Sequence, residues 1–364
     1  MDITIKKSDL EKVLQHVQSA VSSKITLPIL SNFLVQAEDG KVKVSGTDME
    51  LGITSGTRAN IQESGSVAIP AKKFTDMVRE LPDKEIQITH KKNQVIQIEC
   101  EKSHFKLMGL PAEEFPKFPQ LNEKNTIITE QGLIKTMLRM TSFSMSNDET
   151  RRALNGVLIH INGKTIEMVA TDGRRLSCAR RLLKESSGFE KSVILPKKAV
   201  SELSRSLLDE GDMNITLGEN QILFSFGETT LLSRLIDGEF PDYEQVIPKE
   251  QQEKVKFNRE QFLFAAKRTG LFTSQESQSI KLEFFKDKVI LSKSSPEWGE
   301  AREEVNVTNE GKEMVIGFNP NYWTDVLKQL PDQEVFLELI DVDKPGVIRS
   351  ADQYTYMVLP MQIA

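Results

Sequence analysis

The stretch Val67–Leu81, VAIPAKKFTDMVREL, returns in altered form as VILPKKAVSELSRSLL at Val193–Leu208 and as VIGFNPNYWTDVLKQL at Val315–Leu330. A second set of segments occurs in the same order: VKVSGTD from Val42, IEMVATD from Ile166 and VILSKSS from Val289. In both sets the copies lie about 120 to 130 residues apart, which indicates a threefold internal repeat. The repeat sets the number of domains before any single motif is interpreted.

The length of the chain agrees with the repeat. At 364 residues it is too long for one ordinary core and suits two or three domains of common size. The stretches FPKFPQLNEKN (Phe115–Asn125) and FPDYEQVIPKEQQEK (Phe240–Lys254) are proline-rich and polar, and each precedes the opening strand of the next repeat. We therefore predict three domains, which span residues 1–124, 125–253 and 254–364.

Each repeat combines two helices with antiparallel strands. Apolar residues at helical spacing mark the first helix of each repeat; they are Leu10, Leu14 and Val17, then Leu133, Met137 and Met140, and more weakly Phe262, Ala266 and Thr269. The predicted helices are Ser8–Ala20, Lys72–Leu81, Gly132–Thr141, Pro196–Leu208, Arg259–Thr269 and Asn321–Leu330. Runs rich in Val, Ile and Phe, broken by turn signals, predict hairpins between and after the helices. The predicted fold class is α+β, with two helices of each repeat laid on antiparallel sheet.

Several functional classes lack their motifs in this sequence. The chain has no P-loop, no GxGxxG and no HExxH, and its four histidines are scattered. Cys100 and Cys178 form no CxxC pair, so we expect buried free thiols rather than a disulfide or a zinc site. Asp48 and Asp172 occupy equivalent places in two repeats, which favours a turn or capping role over catalysis. We therefore expect no catalytic residues, no metal and no cofactor.

No apolar run approaches the roughly 20 residues that span a bilayer, and the N-terminal segment lacks the apolar stretch of a signal peptide. The sequence thus predicts a cytoplasmic protein without a membrane partner.

The charge is distributed unevenly. The predicted helices carry 13 Lys or Arg against 7 Asp or Glu, although the net charge of the whole chain is −6. The cations are Lys12, Lys72, Lys73, Arg79, Lys135, Arg139, Lys197, Lys198, Arg205, Arg259, Lys267, Arg268 and Lys328. Any one helix could simply have a solvated polar face. Equivalent helices that face the same way in every repeat would instead form a basic surface suited to phosphate backbone. No aromatic interleaving or recognition-helix pattern points to readout of bases.

The whole chain resembles a known family, the bacterial sliding clamps that form the beta subunit of DNA polymerase III. The segments that carry the resemblance are LPILSNFLV, SGTDMEL, LNGVL, ATDGRRL, DGEFPDYEQVIP and VLPMQI, in the order and spacing of the family. The resemblance implies a head-to-tail homodimeric ring of six similar domains, with twelve helices around a central hole. Twelve helices at a spacing of roughly 10 Å would leave a hole near 30 Å across, wide enough for duplex DNA and water.

The resemblance also implies roles for particular residues. Lys24, Arg151 and Arg152 match positions near DNA in the family. They join the helix cations other than Arg259, which the charge distribution already predicts to face DNA. Phe105 and Leu107 from the first domain, and Leu271 and Phe272 from the third, match the dimer seam. A cleft for short linear motifs of the replicative polymerase, the clamp loader and repair polymerases would contain Leu154, Thr171, Gly173, Arg174, Arg175, Leu176, Pro241, Val246, Asn319, Tyr322, Met357, Leu359, Pro360 and Met361.

The leading hypothesis is a non-catalytic processivity factor that encircles duplex DNA without regard to its sequence and tethers a polymerase. An interaction scaffold that never meets DNA is a second possibility, and an enzyme built from repeated domains is a third. Salt-dependent association with DNA would separate the first hypothesis from the second.

Overall fold

The computed structural model describes residues 1–21, 27–91, 94–119, 121, 123–248, 254–350 and 353–363. Lys24 and the predicted boundary residue Glu253 lie outside these ranges. Over the described residues the chain forms six α-helices, α1 (Lys7–Val17), α2 (Ala71–Glu80), α3 (Gln131–Thr141), α4 (Lys197–Ser206), α5 (Arg259–Gly270) and α6 (Pro320–Gln329).

The strands follow nearly the same order in every repeat, with one additional strand, β5, in the first. The first repeat contains β1 (Asp2–Lys6), β2 (Asn32–Glu38), β3 (Lys41–Thr47), β4 (Leu51–Arg58), β5 (Asn60–Glu63), β6 (Gly65–Pro70), β7 (Glu85–His90), β8 (Val95–Cys100) and β9 (Ser103–Met108). The second contains β10 (Thr126–Glu130), β11 (Gly156–Asn162), β12 (Thr165–Thr171), β13 (Arg175–Leu182), β14 (Glu190–Pro196), β15 (Asp212–Leu217), β16 (Gln221–Phe226) and β17 (Thr229–Arg234). The third contains β18 (Lys254–Asn258), β19 (Ile280–Phe284), β20 (Lys288–Ser295), β21 (Gly299–Asn309), β22 (Met314–Phe318), β23 (Glu334–Glu338), β24 (Gly346–Ser350) and β25 (Tyr354–Val358).

The stretch quoted at the outset is, in each repeat, a strand that runs into the second helix: β6 into α2, β14 into α4 and β22 into α6. A proline stands at each junction: Pro70 and Pro196 directly precede α2 and α4. Pro320 occupies the first turn of α6, where its fixed φ suits the helix. At α6 the Asn319 side chain also accepts a hydrogen bond from the backbone N–H of Asn321, at 2.9 Å. These local signals mark where α2, α4 and α6 begin. All six predicted helices are confirmed, with small shifts of their ends.

One apolar stripe differs from its prediction at a single residue, since Met137 and Met140 of α3 are buried as predicted but Leu133 is not. In α3 the fully buried side chains are Ile134, Met137 and Leu138, whereas Leu133 is only half-buried. Both Leu133 and Ile134 fit a helical apolar period, so spacing alone does not decide which of the two faces the core. The stripe of α1 is confirmed, since Leu10, Leu14 and Val17 are all buried.

The predicted hairpins are confirmed, and the turn between β2 and β3 shows why. The pairs Glu38↔Lys41 and Ala37↔Val42 leave a loop of two residues, Asp39 and Gly40. Both have positive φ, +52° and +73°. This is the geometry of a tight turn whose twist matches that of the flanking strands, and Asp-Gly is a preferred sequence for it.

The described residues pair into three antiparallel sheets within two compact units. The first unit comprises Met1–Leu133 and Ser201–Leu235 and holds the sheets β5-β1-β7-β8-β9 and β10-β15-β16-β17-β4-β3-β2-β6. The second comprises Ile134–Val200 and Ile236–Ala364 and holds the sheet β14-β11-β12-β13-β25-β24-β23-β18-β21-β20-β19-β22.

These sheets cross the boundaries between repeats. In the first unit β17 of the second repeat pairs with β4 of the first, and in the second unit β13 pairs with β25 of the third repeat. Compactness therefore follows strand pairing rather than the sequence period. The three domain boundaries given above remain a prediction from the repeat.

Two smaller features of the fold concern the cysteines and the length of the helices. Cys100 and Cys178 are both free and buried, as expected. Within the described part of the chain, no helix combines the length and the apolar character that a membrane span requires.

Candidate functional site

The floor of the candidate site is a row of neighbours across four strands of the second unit. Thr171 on β12 lies opposite Leu176 on β13, Leu176 lies opposite Met357 on β25, and Met357 lies opposite Val347 on β24. Residues directly opposite each other on paired strands share one face of the sheet. Leu176 and Met357 are 2% and 6% exposed, and with Val347 they join the core cluster of this unit. The floor is thus a packed apolar surface.

A loop segment, residues 236–248, lies on this core cluster and is called the strap below. Ile236, Phe240, Tyr243 and Ile247 pack against the cluster and are partly buried. Val246 points away and is 51% exposed. Pro241 is also exposed. The strap therefore presents two apolar side chains to solvent while its remaining apolar residues hold it to the sheet.

A second element of the site is the closing segment, residues 359–363. The backbone N–H of Leu359 donates to the carbonyl of Arg174, and the N–H of Met361 donates to the carbonyl of Gly317, both at 2.8 Å. Ser279 Oγ donates to the carbonyl of Gln362, also at 2.8 Å. The segment is thus fastened at both ends, with Leu359 38% and Ile363 48% exposed. Pro360 and Met361 are half-buried between them.

The turn between β12 and β13 is held by its own side chains. Asp172 Oδ1 accepts hydrogen bonds from the backbone N–H groups of Arg174 and Arg175, at 2.9 and 3.0 Å. Thr171 Oγ1 accepts from the N–H of Gly173 and donates to the carbonyl of Arg175. The predicted turn role of Asp172 is confirmed. Asp48 has the same role in the first repeat, where Oδ1 accepts from the N–H groups of Glu50 and Leu51.

Arg175 fastens this turn to α6. Its guanidinium donates to Asp172 Oδ2 at 3.1 Å, to Asp325 Oδ2 at 2.7 Å and to the carbonyl of Phe143 at 2.6 Å. It also stacks on Tyr322, with the guanidinium carbon 4.5 Å from the ring centroid. Since Arg175 is only 9% exposed and its donors are engaged, it supports the site from below rather than offering its charge to a ligand.

The other predicted cleft residues have different environments. Leu154 is 8% exposed and Asn319 is 4% exposed, and Asn319 is the residue that caps α6. Tyr322 is half-buried, and burial together with the Asp172 carboxylate raises the pKa of its phenol. Gly173 and Arg174 are exposed at the turn. The structure thus divides the predicted set into a floor, an exposed rim and residues that support the site through internal hydrogen bonds.

Sequence reasoning assigns no role to several residues that shape this site. Phe240, Tyr243 and Ile247 form the packed side of the strap, and Asp325 completes the Arg175 contacts. The strap sequence FPDYEQVIP contributes to the family resemblance, but its packing is not predicted. Its apolar positions 236, 240, 243 and 247 have the spacing of a surface that packs along one side, and this spacing is the available signal.

The predicted DNA-facing cations lie at the surface wherever the structure describes them. They are exposed, except Lys135, which is half-buried; Lys24 falls outside the described residues. Arg268 makes a two-pronged ion pair with Glu303, at 2.8 and 2.6 Å, and Arg205 pairs with Glu202. Arg139 donates to the carbonyl of Gln329 at the end of α6, at 2.9 Å. Such arginines already have partners within the chain.

Two expectations about the helices need correction. Arg259, counted among the helix cations, is half-buried and donates to the carbonyl of Leu327 at 2.9 Å, so it braces α5 against α6. An aromatic residue does stand among the cations of α5. Phe264 is 44% exposed, and Lys267 Nζ lies 5.3 Å from its ring centroid. The sequence does not reveal it, because a phenylalanine in a weakly amphipathic helix is expected to face the core.

The predicted seam residues retain apolar surface. Phe105 and Leu107 lie on β9, the last strand of its five-stranded sheet. Leu271 and Phe272 follow the end of α5. Phe105 is 37% exposed and Leu271 is 77% exposed, while Leu107 and Phe272 are half-buried. Among the large apolar side chains in the described part of the chain, that of Leu271 is the most exposed.

Comparison with known proteins covers the chain from end to end. Three family models match in order: the N-terminal domain of the DNA polymerase III beta subunit at residues 1–119, its central domain at 128–242 and its C-terminal domain at 244–362. The beta sliding clamp of Pseudomonas putida is 33% identical over 369 residues, and the alignment covers 100% of both chains. That of Chlamydia pneumoniae is 30% identical over 363 residues and covers 100% of this chain and 99% of the relative.

Solved structures of sliding clamps also match the whole chain. A sliding clamp from Pseudomonas aeruginosa bound to griselimycin matches with a TM-score of 0.96 and 33% identity, over 100% of both chains. The DNA polymerase sliding clamp from Bacillus subtilis matches with a TM-score of 0.95 and 30% identity, again over 100% of both chains. Since the models match in order along nearly all of the sequence, and relatives above 30% identity span it fully, the chain belongs to the DNA polymerase III beta subunit family, the beta sliding clamps.

Proposed function

We propose that two copies of this chain close head to tail into a ring around duplex DNA, and that the cleft built on Leu176 and Met357 holds the replicative polymerase to that ring. The family is that of a non-catalytic clamp, so the chain acts by tethering and not by chemistry. The observation that carries the peptide part of the proposal is the exposed apolar rim, formed by Val246 and Leu359, above a floor that is already packed.

The cleft suits a short peptide with apolar anchors. A peptide side chain placed between Val246 and Leu359 would cover apolar surface that water now contacts, and the floor beneath needs no rearrangement. Methionine and leucine side chains adapt their shape to different anchors, which suits a site shared by several partners. We infer that the replicative polymerase, the clamp loader and repair polymerases each present such a motif here.

The exposed cations suit contact with DNA that does not depend on sequence. Lysine and arginine on the helix surfaces can neutralise phosphates and release condensed counterions without touching base edges. A ring with a hole of about 30 Å, as estimated from twelve helices, leaves room for water around the duplex. Retention then comes from the closed ring, while the contacts themselves stay weak enough for sliding.

The seam residues suit a contact between unlike surfaces. Phe105 and Leu107 belong to the first repeat, and Leu271 and Phe272 belong to the third. A contact between two different patches is heterologous, and it closes when the rotation from one copy to the next completes a turn. Two copies would close with two such seams, which hides the apolar surface of all four residues.

The experiment that tests the proposal compares nicked circular DNA with the same DNA after linearisation. Loaded protein should stay on the circle and leave the linear form through its ends. Equal retention on both forms would rule out encirclement, and no association at any salt concentration would favour the scaffold hypothesis.

The peptide role is tested on the same loaded complex. Replacing Val246 and Leu359 together by serine should abolish capture of the polymerase but leave retention on circles unchanged. Loss of both activities would mean that the rim contributes to the ring itself. Unchanged capture would place the partner site elsewhere.

A further inference from the structure

One buried carboxylate joins the middle of the strap to the sheet. Glu167 on β12 is 1% exposed, and Tyr243 of the strap donates its phenol O–H to Glu167 Oε1 at 2.6 Å. Cys178 Sγ donates to the same oxygen at 3.2 Å, and Arg180 Nε donates to Oε2. A carboxylate this deeply buried is stable only while such donors remain in place. Glu167 therefore fixes the position of Tyr243.

The anchor lies on the same face of the sheet as the cleft floor. Glu167 and Thr171 are four residues apart on β12, so both side chains point to one face, about 13 Å from each other along the strand. The paired residues on β13 are arranged in the same way, with Arg180 opposite Glu167 and Leu176 opposite Thr171. Tyr243 and Val246 are three residues apart in a turn of the strap, closed by the hydrogen bond from the N–H of Val246 to the carbonyl of Tyr243, so the position of Tyr243 sets that of Val246.

The middle of the strap depends on this anchor more than its two ends do. Its beginning is hydrogen-bonded through the N–H of Ile236 to the carbonyl of Ile194, at 3.0 Å. Its end is fastened by Arg349, which donates to the carbonyl of Pro248. Between these points, Phe240 and Ile247 pack on the cluster through apolar contact, whereas Tyr243 adds a hydrogen bond to the sheet. The backbone N–H of Val246 in turn donates to the carbonyl of Tyr243, at 3.3 Å.

We propose that Glu167 is a positioning residue of the peptide cleft, which acts through Tyr243 to keep the strap seated so that Val246 stands at the rim. The inference rests on the proposed peptide cleft and adds to it a residue that touches no peptide. In this arrangement affinity depends on the fraction of molecules whose strap is seated. A peptide that uses Val246 binds only those molecules.

The test uses Tyr243→Phe, which keeps the ring packed and removes only the hydrogen bond. The matched control is Tyr354→Phe. Tyr354 is 1% exposed in the same unit, and its O–H donates to Ser177 at 3.4 Å, away from the strap. Both variants are made in a Cys100→Ser background of the full chain, so that Cys178 is the sole cysteine. Cys178 is 8% exposed and shares Glu167 with Tyr243, which makes its thiol a reporter of the strap.

Two quantities are measured. The first is the affinity for a set of short fluorescein-labelled peptides whose apolar side chains are leucine and phenylalanine, measured by anisotropy. The second is the rate at which a chromogenic aromatic disulfide labels Cys178, with and without peptide. If Tyr243→Phe leaves the strap seated in roughly one molecule in three to one in ten, the peptides should bind about three- to tenfold more weakly. Labelling of Cys178 should accelerate, and saturating peptide should slow it again.

The outcomes separate this inference from the function it rests on. Tyr354→Phe should leave both affinity and labelling rate as in the parent, even if it lowers the melting temperature. If the parent binds the peptides and Tyr243→Phe changes neither quantity, the positioning role of Glu167 is wrong while the cleft stands. If both Tyr→Phe variants weaken binding equally, the effect is one of general stability and the inference is again wrong. If the parent binds none of the peptides, the cleft itself is wrong and this inference falls with it.

Discussion

Truncating Leu271 should weaken the dimer far more than it changes the fold. Leu271 is 77% exposed in the single chain, so most of its side chain remains to be buried at a seam. Leu271→Ala removes three carbon atoms, worth roughly 0.8 kcal/mol each when fully buried, which scales to about 1.8 kcal/mol per seam. A head-to-tail dimer has two seams, so the loss is about 3.7 kcal/mol per ring, or between two and three decades in the dissociation constant.

Sedimentation equilibrium over a range of protein concentrations measures this constant directly. Leu208→Ala is the matched control, because Leu208 is 65% exposed and is not among the predicted seam residues. The control should dissociate as the parent does, and the urea midpoint of either variant should differ little from that of the parent at concentrations where all are monomeric. A dissociation constant for Leu271→Ala within threefold of the parent would refute the assignment of Leu271 to the seam.

Three further predictions concern charged groups. Changing four exposed lysines, Lys12, Lys72, Lys198 and Lys267, to glutamine should reduce the salt dependence of equilibrium binding to a short linear duplex, by roughly 0.9 in the log–log slope for each phosphate that is no longer neutralised. The same change at Lys256 and Lys288, which lie on strands, should leave that slope unchanged. Arg175→Met should lower the free energy of unfolding in urea by about 3 kcal/mol, because it leaves Asp172 and Asp325 without their shared partner; a decrease below about 0.5 kcal/mol would contradict the bracing role. Burial alone would raise the pKa of Glu167, but hydrogen bonds from Tyr243, Arg180 and Cys178 outweigh it and hold the pKa below its ordinary value of 4.5.

The sign of the Glu167 effect follows from that shift. A carboxyl whose pKa is lower in the folded chain stabilises the fold fully above its unfolded pKa and loses this contribution as the pH falls through the folded pKa. The difference in unfolding free energy between the parent and Glu167→Gln should thus be constant above about pH 5 and shrink below it. Urea titrations from neutral to acid pH measure this, and a difference that stays constant throughout would show that Glu167 does not titrate with folding.

Much of the fold could be predicted from the sequence because its signals are local. The starts of α2, α4 and α6 follow from Pro70, Pro196 and the Asn319-Pro320 pair. The tight turn follows from its sequence, Asp39-Gly40. The choice between Leu133 and Ile134 as a core residue did not follow, because both satisfy the helical period. The joining of β17 to β4, and of β13 to β25, could not be predicted either. These strands are far apart in the chain, and a local sequence pattern does not show which strand edges pair with each other.

The candidate site likewise combines residues that could be predicted from the sequence with residues that could not. Apolar residues at the floor and rim could be assigned by resemblance, because their chemistry suits a peptide. The bracing role of Arg175 could not be predicted, because the sequence allows this arginine either to face a ligand or to brace a turn. Only the positions of Asp172, Asp325 and the Phe143 carbonyl decide between them. The role of Glu167 could not be predicted for a related reason. Its three hydrogen-bond donors are Cys178 and Arg180 on β13 and Tyr243 on a loop 76 residues away.

The pairing of β25 with β13 has a consequence for the order of events during synthesis. Floor and rim combine Leu176 with Met357 and Leu359, so the docking surface stays incomplete until residues 354–361 have emerged from the ribosome and annealed against the central repeat. A nascent chain that stalls before that point would expose one unpaired edge of β13 yet present no recruitment surface. On the proposed function, unfinished copies would therefore not capture a polymerase that they could not keep on its template.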